Sequence, residues 1–185
     1  MSDSIELAGR EILLDERRFR LCKDRFQTPV GLVEKHIVYT PGSVAMVVQP
    51  DPEHVVLVHQ YRYPIRAWTW EIPAGTRESD EVPLVTAQRE LAEEAGLAAR
   101  TWVEWFRFHP SYGYCDEEMI VYHATDLSPA QAEPDHGELI RAEVVPLTRV
   151  PELVQGGGLN DAKTLLALSH LPGVPAELFP GPPPC

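Results

Sequence analysis

No stretch of the chain restricts its fold more tightly than residues 75–97, where Glu78, Asp80, Glu81, Glu90, Glu93 and Glu94 stand against only Arg77 and Arg89. Pro83 suits the first turn of a helix, where its missing N–H costs nothing, Asp80 or a neighbour is placed to cap it, and Gly96 suits its end. The spacing predicts a helix from about residue 82 to about 95. Leu84, Ala87, Leu91 and Ala95 recur at helical spacing as its buried stripe. Glu90, Glu93 and Glu94 then share one face, where like charges weaken a helix by roughly 0.2–0.5 kcal/mol per pair. Arg89, four residues before Glu93, can orient or partly neutralise one of them, and the rest ask for a cation. All-oxygen ligands suit Mg²⁺ or Mn²⁺ rather than Zn²⁺.

A glutamate cluster on a helix is often only a solvated face, so the whole spacing has to be explained. Gly75, Glu81 and then Arg89, Glu90, Leu91, Glu93, Glu94, Gly96 and Leu97 match the Nudix box at every fixed position. The chain resembles the Nudix hydrolases, which split a nucleoside diphosphate linked to another moiety. The resemblance implies an α/β fold, the Nudix α/β/α sandwich with a mixed central sheet, here carrying an N-terminal antiparallel β-extension. It also implies divalent metal held by Glu90 and Glu94 as direct ligands, by Glu93 directly or through water, and by the carbonyl of Ala74. Gly75 gives the backbone room for that approach, and Glu81 is expected to brace the loop through an ion pair with Arg89.

Ahead of the box, alternation predicts two or three strands, Phe19–Phe26 and Leu32–Tyr39 being the clearest, joined by a turn at Gln27 to Gly31. Apolar strands follow over Ser43–Val48 and Val55–Tyr61. Gln60, Tyr61, Arg62, Tyr63 and Pro64 end the second, and an arginine leaving a buried strand can hold a phosphate bidentately. A plain surface arginine is the competing reading. The order of this segment, of Trp70 to Gly75 and of the box resembles the ADP-ribose pyrophosphatase branch, which implies Arg62 as a substrate contact and Glu71 in the same site.

Beyond the box, Thr101–Phe108 reads as a strand carrying Trp102, Trp105, Phe106 and Phe108 into the core. In the loop that follows, Ser111, Tyr112 and Gly113 stand where the branch shows Ser-Pro-Gly, with Glu117 beyond. The proline is replaced by Tyr112, a candidate to stack on a base. Strands are expected over Met119–Ala124 and Leu139–Val145, separated by an acidic loop. The resemblance implies a general base from that loop, for which Glu138 is the candidate and Asp135 the second, and it groups Glu138 with Glu93 and Glu94 as catalytic. A short helix over Thr148–Gln155 should stop at Gly156, and Asn160 or Asp161 should cap a final helix to about His170.

The expected organisation is a β-extension over residues 1–42 that joins a homodimer, a hydrolase domain over 43–171 and a proline-rich tail over 172–185. A net charge of −12 argues against a nucleic-acid polymer as partner, while an anionic small molecule can bind if metal and local arginines cancel the field. Three scattered cysteines give no disulfide framework or zinc spacing, and no apolar run is long enough for a membrane span, so a cytoplasmic protein is expected. The reading is a Mg²⁺-dependent hydrolase, with Mn²⁺ as substitute, acting on a nucleotide small molecule. ADP-ribose cleaved to AMP and ribose 5-phosphate is the leading substrate. Another nucleotide sugar or a dinucleoside polyphosphate is the alternative within the class, and a non-hydrolysing ADP-ribose sensor the alternative outside it.

Overall fold

The computed structural model describes residues 4–132, 137, 139–175 and 178. Strands β1 (Glu6–Asp15), β2 (Arg20–Thr28) and β3 (Gly31–Tyr39) form an antiparallel sheet in that order. The remaining strands are β4 (Ser43–Val48), β5 (His54–Arg62), β6 (Ala67–Glu71), β7 (Ala74–Thr76), β8 (Leu97–Phe108), β9 (Met119–Pro129) and β10 (Ile140–Pro146). They build a mixed sheet ordered β10-β5-β4-β9-β8, with β6 on β5 and β7 on β4. Among the described pairings within this sheet, β4–β9 alone is parallel.

The sheet is central because β4 is apolar on both faces. Val44, Met46 and Val48 pack with Ala87 and Leu91 of helix α1 (Pro83–Ala95), whereas Ala45 and Val47 face the opposite cluster. That second cluster contains Val150 of α2 (Val150–Gln155) and Ala167 and Leu168 of α3 (Ala162–Leu168). A strand residue turns over every position, so one six-residue run serves two helical layers, which makes the α/β/α sandwich. Truncating the fully buried Leu91 to alanine should cost about 2–5 kcal/mol.

Helix α1 agrees with the expected span, and Gly96 closes it at φ 63°, ψ 30°, with its N–H bonded to Ala92 O. The cap expectation is corrected. Val82 occupies the N-cap without a side-chain bond, while Asp80 sits at φ 65° in the preceding turn. Pro83 removes one of the donors a cap would satisfy, and Thr86 Oγ1 reaches Val82 O at 3.5 Å. The final helix is capped as expected by Asp161, which accepts from Thr164 N at 3.0 Å. Strand β8 begins at Leu97 rather than Thr101 and β9 runs on to Pro129 rather than Ala124, so both are longer than expected, while β10 ends at Pro146 close to its expected span. Among the described residues, no helix is long and apolar enough to cross a membrane.

Candidate active site

The loop from β7 into α1 folds back so that its backbone lies against the glutamate face of the helix. At Gly75 the closeness is quantitative: an added Cβ would stand 1.9 Å from Glu90 Cδ and 2.1 Å from its Oε1. No side chain fits there while Glu90 keeps this position, so the carboxylate of Glu90 is seated on the glycine. Next to it, Ala74 N donates to Glu94 Oε2 at 2.9 Å, and Glu94 is only 8% exposed. Pairing of Ala45 with Ala74 and of Val44 with Gly75 fixes this backbone to the central strand.

Arg89 gathers the other carboxylates. Its Nη1 donates to Glu90 Oε1 at 2.8 Å and to Glu93 Oε2 at 2.9 Å, and its Nε and Nη2 donate to the two Glu81 oxygens at 3.2 Å each. The expected brace between Glu81 and Arg89 is therefore present. The Arg89 hydrogen bonds hold the Glu81 carboxyl at about 2, well below the usual glutamate range. Arg77 completes the loop by donating to Glu81 O at 2.8 Å and to Pro41 O at 3.1 Å.

One guanidinium thus meets Glu81, Glu90 and Glu93, with Glu94 alongside, leaving an excess of negative charge on oxygen atoms. Among the described residues no three histidine, cysteine, aspartate or glutamate side chains are already drawn together as a metal cage. The reason is visible in the same bonds: Glu90 and Glu93 turn to Arg89. The donor set and the Gly75 seat nonetheless fit a hard divalent cation, since every ligand offered is a carboxylate or backbone oxygen.

Across the cleft, of about 420 Å³, lies the end of β5. Arg62 donates to Glu71 through Nε at 2.8 Å and Nη2 at 2.6 Å, and its side chain stays 41% exposed. Glu71 is 2% exposed and also accepts from Thr69 Oγ1 and Lys163 Nζ. Burial pushes its carboxyl upward, but the Arg62 bonds and the Lys163 charge outweigh that and hold it at about 2. Glu71 therefore stands behind Arg62, orienting it, rather than facing the cleft. Sequence reasoning missed Lys163, which also donates to Asp161 Oδ2 at 2.8 Å. Its signal was the Asp161, Lys163, Thr164 spacing at the start of α3.

Arg62, Ala74, Glu90, Glu93 and Glu94 line one cleft together. Tyr112 is not brought to it. At 84% exposure it lines a second depression with His36, Tyr39 and Tyr114, on the side where Tyr114 O accepts from Val38 N of β3. Glu138 and Asp135 lie outside the described residues. Arg17 and Arg18 of the β1–β2 turn reach the cleft rim, Arg17 paired with Glu78.

Comparison with known proteins agrees with this architecture. A model of the NUDIX domain matches residues 39–168. A Bacillus subtilis (strain 168) protein named ADP-ribose pyrophosphatase is 36% identical over 166 residues, covering 88% of this chain and 90% of its own. A Bacillus methanolicus protein named methanol dehydrogenase activator is 34% identical over 165 residues, covering 87% and 89%. A crystal structure described as an ADP compounds hydrolase shares the fold, with a TM-score of 0.74 over 89% of this chain and 90% of that one at 22% identity. The glutamate helix seated on Gly75 lies within a span that the domain model and a close relative both cover, and the chain belongs to the NUDIX family.

Proposed function

We propose that this chain is a divalent-metal-dependent pyrophosphohydrolase of nucleoside diphosphate sugars, cleaving ADP-ribose to AMP and ribose 5-phosphate with Mg²⁺ as its cation and Mn²⁺ as a substitute. Family membership and the 36% identical ADP-ribose pyrophosphatase support hydrolysis of the pyrophosphate. The observation that carries the site is the seat of Glu90 on Gly75 beside Glu94 bonded to Ala74 N. Glu90, Glu93, Glu94 and the Ala74 carbonyl would hold the cation. When bound, it offsets phosphate charge and makes water a stronger nucleophile.

The chain's own groups then position and move charge. Arg62, oriented by Glu71, donates to phosphate oxygens from the opposite wall. Arg89 draws Glu90 and Glu93 together and aligns their carboxylates. Glu138 takes the proton of the attacking water, and Glu138→Gln is expected to lower kcat about a hundredfold. If Asp135 serves instead, that substitution will have a mild effect and Asp135→Asn the large one.

A homodimer belongs to the proposal, since Leu7, Ile12, Leu14 and Leu32 of the N-terminal sheet, with Ile5 just ahead of it, are exposed apolar side chains of the kind a second copy covers. A cytoplasmic place suits an acidic enzyme acting on a soluble nucleotide. The direct test is Glu94→Gln with ADP-ribose and Mg²⁺: turnover should vanish while the melting temperature stays near that of the parent. Near-normal rates would remove the carboxylate site from the chemistry.

A further inference from the structure

Gln60 lies on β5, in register with Thr69 on β6 and Ile140 on β10. It shares a strand face with Arg62, and both residues line the cleft with Ala74 and Glu94. Gln60 is 7% exposed, and its Nε2 is a buried donor with no hydrogen-bond partner among the described residues. The neighbouring polar side chains are committed: Arg62 and Thr69 to Glu71, and Glu94 to Ala74 N. A buried donor left unmade is costly, and native proteins retain few of them. Here the orphan sits in the wall of the cleft that holds the carboxylates.

We infer that Gln60 is a further substrate-contacting residue, its carboxamide donating from Nε2 to an oxygen of the bound pyrophosphate beside Arg62. This rests on the pyrophosphohydrolase reading above. The last torsion of a glutamine side chain is broad, so the amide swings toward an acceptor without moving the buried strand. A neutral donor also suits this position. An arginine or lysine here could pair with the carboxylates of the same cleft, whereas a carboxamide offers two N–H groups to phosphate oxygens while adding no charge.

The test is Gln60→Met, similar in length but without a donor, read by steady-state kinetics on ADP-ribose with Mg²⁺ and by the melting temperature of the nucleotide-free protein. Loss of a hydrogen bond to a charged phosphate should raise KM about tenfold or more with kcat little changed. The melting temperature should hold or rise, because the variant removes an unsatisfied buried donor. If Gln60→Met does not fold, Gln60→Glu takes its place, and a carboxylate facing the phosphates should raise KM further still. An active wild type with KM within about twofold in the folded variant overturns the inference alone, as does a lower melting temperature with unchanged KM, which marks a purely structural amide. A wild type that leaves ADP-ribose intact overturns the parent reading and this inference with it.

Discussion

Gly75→Ala separates the seat from the fold more cleanly than any other single change. The new methyl would meet the far end of the flexible Glu90 side chain, which can swing away at small cost. The variant should fold, with a melting temperature within a few degrees of the parent, roughly what a sub-kcal/mol change produces. Its kcat should fall by about a hundredfold or more, because the displaced carboxylate no longer stands at the site. Full activity would show that the Glu90 seat is dispensable. At this scale the sequence was informative where chemistry depends on local spacing, as with Glu90, Glu93, Glu94 and the Glu81–Arg89 brace. It was silent on the role of Gln60, because nothing local says that its amide nitrogen is buried without a partner. It also assigned Glu71 to the cleft, where Arg62 and the distant Lys163 instead draw it inward.

Between elements, Glu71 ties β6 to the end of β5 and to α3 through Arg62 and Lys163. Lys163→Met should therefore leave kcat nearly intact and raise KM severalfold as Glu71 is held less firmly behind Arg62, with Lys163→Arg restoring much of the loss. Kinetics on both variants checks this; an unchanged KM in the methionine variant would make the tie purely structural. Acid should loosen the same joint. Glu71 and Glu81 both stand at about 2 in the folded chain against an ordinary 4.5, so their contribution is whole above about pH 4.5 and lost as pH falls toward 2. Melting curves should show that loss for the parent and a shallower one for Glu71→Gln, which starts less stable at neutral pH by about 3–5 kcal/mol. The elements themselves were legible when periodicity marked them: α1, β4 and β5 fell close to their expected spans. Strands β6 and β7 were not, since Ala67–Glu71 and Ala74–Thr76 are short and take their form from pairing with β5 and β4.

For the whole molecule, the mixed sheet with helices on both faces was implied by the resemblance that the box carries, and the doubly apolar β4 shows why it packs so. Relations between distant segments were beyond sequence reasoning. The loop carrying Tyr112 packs toward β3, and so faces a depression apart from the carboxylates. The exposed apolar side chains of β1 and β3 set a prediction at this scale. Light scattering should give twice the chain mass for the parent, and Ile12→Lys combined with Leu32→Lys should give the monomer mass. A monomeric parent would end the homodimer proposal.

The measurement that bears most directly on the site's chemistry is product analysis after incubation with ADP-ribose, other nucleotide sugars, dinucleoside polyphosphates, NADH and FAD, each with Mg²⁺ and with Mn²⁺. The cleft described here should convert ADP-ribose to AMP and ribose 5-phosphate faster than the others, and lose that activity in Glu94→Gln. Preference for another substrate would contradict the ADP-ribose assignment, and no cleavage of any of them would contradict the hydrolase itself.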